Sequence, residues 1–163
     1  MVHTLVYILS IVAVNYGFTV VPLIPLPNGE MWPPMSLIVG FIFVVRDFAQ
    51  REIGHKILLA MLAGGVLSWL MASPTIAVAS VVAFAVSEIM DWAVYSFTGY
   101  RFSQRILLSS TISTPVDSVV FLAMIGLFSI SNVIIMTVSK MIGAVVVFLL
   151  VRQREVMKIS PLA

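Results

Sequence analysis

Long apolar stretches broken by short polar or turn-rich segments make up nearly the whole chain. A helix needs on the order of 20 apolar residues to cross the hydrocarbon core of a bilayer. Six such stretches are predicted, at about 4–24, 34–53, 56–71, 75–97, 105–128 and 133–151. The breaks are legible: Pro22, Pro25 and Pro27 close the first stretch, and the turn-rich run 25–34 contains Asn28-Gly29. Gly54-His55 separates the second and third, Ser73-Pro74 the third and fourth, and polar residues 99–104 the fourth and fifth, with a short turn at 129–132 before the sixth. Gly and Pro punctuate because one tolerates unusual backbone and the other cannot donate to a helix. The first stretch has no basic lead and no small-residue cleavage site, so it is predicted to persist as a helix. The expected fold class is all-α, a polytopic integral membrane protein of six helices forming one domain over residues 1–163.

Composition agrees with this pattern. Of the 163 residues 61% are hydrophobic and 10% charged, with mean hydropathy +1.13, against roughly a quarter charged in soluble domains. The absence of cysteine removes disulfides and thiolate chemistry. The charge pattern then orients the chain. Arg46, Arg51 and Lys56 border the second connection, Arg101 and Arg105 the fourth, and Arg152, Arg154 and Lys158 the tail, while the odd-numbered connections carry no Lys or Arg. Because Lys and Arg accumulate on the cytoplasmic side, both termini are expected there. The pI near 9.2 follows from this arrangement and points to no nucleic-acid partner.

Charges at membrane depth cost about 2.5 to 3.5 kcal/mol each on insertion scales, so those that persist tend to be paired, functional, or both. Arg46 and Asp47 in the second helix, Glu88 and Asp91 in the fourth, Asp117 in the fifth and Lys140 in the sixth stand out. Glu88 and Asp91 share a helix face with Tyr95 beyond them. Ser110, Thr114, Asp117 and Phe121 form one stripe of the fifth helix, with Ser113 one turn before Asp117. Asn15 is the one strongly polar residue in the middle of the first helix, and interhelical glue and ligand contact are equal readings of it. Asn15, Asp47, Glu88, Asp91, Ser113 and Asp117 are the candidates for a polar substrate site, with Arg46 and Lys140 neutralising the acids; a satisfied structural network of these charges is the alternative reading. Asp47 is expected to point inward, with Arg46 bridging to Glu88 or Asp91. Trp32 and Tyr100 fall near predicted membrane ends, where aromatic belts form.

No phosphate-binding loop, nucleophile elbow or metal-spaced histidine pair occurs, so neither an enzyme nor a metal or other cofactor is expected. Ala60, Gly64 and Ser68 on the third helix, and Ala79, Ala83 and Ser87 on the fourth, read as small-residue packing seams. Pro115 is expected to kink the fifth helix.

The segments Phe43 to Gly54, Ser87 to Tyr95 and Arg105 to Phe121, with Arg46-Asp47, Glu88, Asp91, Arg105, Ser113 and Asp117 as their motif positions, resemble the VUT family, the queuosine precursor transporters, and this resemblance adds Arg105 to the charge network of Arg46 and Lys140. The resemblance implies uptake of a 7-deazaguanine such as 7-cyano-7-deazaguanine across the cytoplasmic (inner) membrane. The ligand's adjacent N–H and NH2 groups suit a carboxylate acceptor, and aromatic rings would stack on its flat face. The expected partners are the lipid bilayer and this small purine-like solute, with a homodimer and an energy-coupling module both open. Two alternatives remain: the substrate-binding subunit of an energy-coupling-factor vitamin importer, docking through Ala13 and Gly17, and a structural membrane subunit whose charges pair with other chains.

Overall fold

In a computed structural model the chain is described over residues 1–159, apart from the side chains of Glu88, Asp91, Trp92, Tyr95, Ser96, Phe102 and residues 154–159. Among the described residues six α-helices form, α1 (Val2–Val20), α2 (Ser36–Ile53), α3 (Ile57–Met71), α4 (Pro74–Phe97), α5 (Phe102–Met124) and α6 (Ile130–Ile159), with a single 3-10 turn, Gly54–Lys56, joining α2 to α3. Four described stretches are long and apolar enough to cross a membrane: Val2–Val20, Ser36–Met71, Ser103–Met124 and Ile130–Gln153. The second of these holds both α2 and α3. The mainly helical expectation therefore holds, with one addition: β1 (Ile24–Pro25) pairs antiparallel with β2 (Met31–Trp32) between α1 and α2.

Helix ends depart from expectation for local reasons. Helix α1 stops at Val20, four residues short of the predicted end, because Pro22 holds Val21 extended, at φ −84° and ψ 122°. At the start of α5, Gln104 Oε1 accepts the backbone N–H of Arg101 at 3.3 Å, and the helix begins three residues early. It ends at Met124 because Gly126, with φ 75°, turns the chain into a left-handed cap. There the N–H of Leu127 donates to Leu122 O at 3.0 Å and that of Gly126 to Ala123 O at 3.4 Å. Ser129 then caps α6, its Oγ accepting the N–H of Asn132 at 3.0 Å, so α6 begins at Ile130 instead of 133. The helix also continues past the predicted end at 151.

Cross-helix pairs give the directions. Ile11 meets Gly64, Asn15 meets Ser68 and Thr19 meets Ser73, so α1 and α3 run parallel. Thr4 meets Glu52 while Gly17 meets Met35, so α2 runs opposite to α1. Gly40 meets Lys140, Val44 clusters with Ala144, and Phe48 with Val147 and Val151, so α2 and α6 are parallel. The N-terminal amine rests on Glu52, placing the chain's start at the same end as the far part of α6.

The packing partners form two three-helix layers, α3–α1–α2 and α4–α5–α6, joined at the edges where α3 packs on α4 and α2 on α6. Between the central helices, the rings of Phe18 and Phe121 meet at 4.9 Å. Ala60, Gly64 and Ser68, and Ala79, Ala83 and Ser87, are all buried, as their four-residue spacing predicts for seams. Gly17 is buried against Met35, while Ala13, one turn earlier on α1, is exposed. Pro115 lies inside an unbroken α5.

Candidate functional site

A buried polar contact joins two of the four helices expected to carry charge at membrane depth. Lys140 on α6 donates through Nζ to the Asp117 carboxylate on α5, and also to Ser118 Oγ at 3.1 Å. Lys140 is 0% and Asp117 4% exposed. A glycine contact fixes the lysine from behind: a Cβ on Gly40 would collide with the Lys140 backbone carbonyl, and one on Gly143 would sit 2.8 Å from the Gly40 carbonyl carbon. With the α2 backbone packed this closely on one side, the lysine side chain extends toward α5.

The pair borders a small void between the layers. Its walls are Phe18 of α1, Val39 of α2, Ser80 and Phe84 of α4, Phe121 of α5 and Met136 of α6, with Asp117 and Lys140. The free space holds about one water molecule. That is far below the roughly 300 Å³ or more of an ordinary ligand pocket, so the bundle is closed over this site. Chemically the walls provide one carboxylate acceptor, one ammonium donor, one hydroxyl and three phenyl faces. Such a set suits a flat solute with polar edges.

The stripe Ser110, Thr114, Asp117 and Phe121 is buried throughout, as its spacing predicts. Its hydroxyls, however, serve their own helix. Thr114 donates to Ser110 O at 2.7 Å, Ser118 to Thr114 O at 2.7 Å and Ser113 to Ser109 O at 2.8 Å. This back-bonding is the usual use of Ser and Thr inside a helix. Ser113 accordingly lies beside the void's carboxylate, one turn away, and not in the wall.

The remaining expected residues divide. Arg46 and Asp47 are both buried, and Arg46 Nη2 donates to Asp47 Oδ1 at 2.8 Å. Among the described side chains Asp47 is absent from the void's walls, and the two neighbours contact each other. They also lie six residues, about 9 Å, further along α2 than the Gly40–Lys140 crossing. The described side chains thus show two ion pairs in the bundle, Arg46–Asp47 and Asp117–Lys140. Arg105 sits half-buried near the start of α5. The side chains of Glu88 and Asp91 lie outside the described residues, so the expected Arg46 bridge does too. Asn15 is fully buried and donates through Nδ2 to Ser68 Oγ at 2.9 Å, joining α1 to α3 away from the void. Its Nδ2 thus serves as interhelical glue, while its buried Oδ1 has no partner among the described residues. Trp32, expected in an interfacial belt, is half-buried with Nε1 donating to Ser139 Oγ at 3.1 Å, whereas Tyr100 is exposed.

Sequence reasoning missed Ser80, Phe18, Phe84, Ser118 and the Gly40–Gly143 crossing. Ser80 follows Ala79 in the seam of α4, and one position decides whether a side chain faces a neighbouring helix or the void. Pairing of Gly40 with Gly143 has no local signature, because the two lie on different helices. No protein-family model, curated protein sequence or solved structure matches the chain significantly.

Proposed function

We propose that the chain is a transporter of six membrane spans, both termini cytoplasmic, that moves a flat, purine-like solute across the cytoplasmic membrane through the space between its two layers. The reading rests on the Asp117–Lys140 pair at the edge of a void walled by three phenylalanines. A buried ion pair is weak support for stability, since well-packed apolar residues often serve as well. An intramembrane pair beside a void is therefore better explained by a solute that needs it. The VUT resemblance suggests the solute: a 7-deazaguanine used as a queuosine precursor.

In this reading Asp117 accepts the ligand's N–H edge, Lys140 or Ser80 donates to its carbonyl, and Phe18, Phe84 and Phe121 stack on its plane. The void must widen to admit it, by separation of the layers or movement of the segment between α1 and α2. Six spans follow if α2 and α3, 18 and 15 residues long, each cross, and if α4, 24 residues long, does too. The even connections, with their Lys and Arg, then face the cytoplasm.

The test is uptake of labelled 7-cyano-7-deazaguanine, and of other deazapurines, by cells lacking their own importers and expressing the chain. Uptake should exceed that of empty-vector cells and fall at least about tenfold in Asp117→Asn, the loss expected for one charged hydrogen bond. No uptake of any deazapurine by correctly inserted protein would refute the reading.

A further inference from the structure

The helices are unequal at the end of the bundle that carries the β1–β2 hairpin. Gly40, which abuts Lys140, lies four residues after the start of α2, whereas Lys140 lies ten after the start of α6. At about 1.5 Å per residue, α2 begins about 9 Å deeper than its parallel neighbour. The space above it is filled by segment 21–35, which is almost entirely non-helical. Trp32 is the deep anchor of that segment. It reaches Ser139, nine residues or about 14 Å into α6 and next in sequence to Lys140. Ser139 Oγ is held for this contact by donating to Ile135 O at 2.8 Å. Nearer the rim, Ser129 donates to the Glu30 carboxylate, and Met35 packs on Gly17 of α1. The hairpin thus straps α1 to α6 across the mouth of the layers.

Irregular backbone at membrane depth survives only where protein buries it or where it lines an aqueous cavity. The void lies on the same side: Asp117 is seven residues, about 11 Å, from the hairpin-side end of α5, and Ser80 six residues, about 9 Å, from that of α4. At Gly40 and Gly143 the backbones of α2 and α6 interlock and resist sliding, while the hairpin is tied to α6 by two side-chain hydrogen bonds, from Trp32 and to Glu30. Elements held so lightly open first. We propose that residues 21–35 form a re-entrant outer gate, that Trp32 seated on Ser139 is its latch, and that solute reaches the Asp117–Lys140 void when the latch lifts.

The inference rests on the transport reading, but its test needs no substrate. The chain has no cysteine, so Ser80→Cys puts a single thiol in the wall of the void. In right-side-out vesicles a charged, membrane-impermeant maleimide should label it slowly, and should label Asn28→Cys, at the exposed hairpin tip, quickly. Adding Trp32→Ala should speed labelling at position 80 about tenfold, in keeping with loss of a hydrogen bond and the ring's seat, and Ser139→Ala should speed it several-fold. A thiol at Ala49→Cys, fully buried in the other half of α2, should stay unlabelled throughout. Equal labelling at position 80 with and without both latch changes would overturn the gate. So would parallel labelling at position 49, because Trp32 would then merely hold the fold together. A working latch in a chain that takes up no deazapurine would overturn only the proposed function.

Discussion

Removing either member of the Asp117–Lys140 pair should destabilise the bundle strongly, and removing both should cost much less. Each ion is withdrawn from solvent and from lipid, with the partner and Ser118 as its polar surroundings on the described side chains. Stripping one partner from a buried pair typically costs about 3 to 5 kcal/mol, because the survivor is left as an uncompensated charge. Asp117→Asn keeps an acceptor oxygen and the shape, and Lys140 retains Ser118 Oγ at 3.1 Å, so a loss near the lower figure, about 3 kcal/mol, is expected. Lys140→Met leaves the carboxylate against Phe84, Phe121 and Met136, with Ser80 as the one other polar wall group among the described residues, so a loss near 5 kcal/mol is expected. The double variant Asp117→Asn/Lys140→Met removes both charges at nearly constant volume. It should recover most of the loss, giving a coupling of at least about 3 kcal/mol. Reversible unfolding in mixed micelles of a mild and a denaturing detergent measures all three. Strict additivity of the single losses would refute the pairing and with it the account of why Lys140 is tolerated at this depth.

Gly40→Ala should force α2 from α6 and lower stability by about 1 to 3 kcal/mol, as overpacking does, measured by the same unfolding; an unchanged midpoint would mean that the crossing is looser than its geometry. Asn15→Ala should cost only about 0.6 kcal/mol, an average intramembrane hydrogen bond, and leave uptake intact, so a collapse of uptake at normal expression would return Asn15 to the ligand site. Ser80→Ala should raise the KM of deazapurine uptake about three- to tenfold, the worth of one neutral hydrogen bond, with stability unchanged; an unaltered KM would remove Ser80 from the site. A reporter inserted at Asn28-Gly29 should be active only on the outer side and one inserted at Gly54 only in the cytoplasm, and the reverse pattern would invert the topology.

Much of this protein could be read along the chain, because the information involved is local. Apolar length fixes which segments are helices, and Pro22, Ser73-Pro74 and Gly54 stop them where a donor is missing or the backbone must turn. The burial of Asp117 and Lys140 was legible too, since a charge in an apolar helix has few places to go other than the interior. So was the stripe from Ser110 to Phe121, which helical spacing puts on one face. Tertiary structure alone decided who meets whom. Lys140 faces Asp117 because Gly40 and Gly143 bring two helices into backbone contact, and those glycines lie about a hundred residues apart. Arg46 donates to its neighbour Asp47 about 9 Å along α2 from that crossing, so the two described ion pairs sit at different turns of the bundle. Trp32 meets Ser139 because α2 starts further along the bundle than α6 and leaves a gap that the hairpin fills. Distance along a helix can be counted in a sequence; which faces close on each other depends on packing summed over all six helices, and no short window of residues contains it.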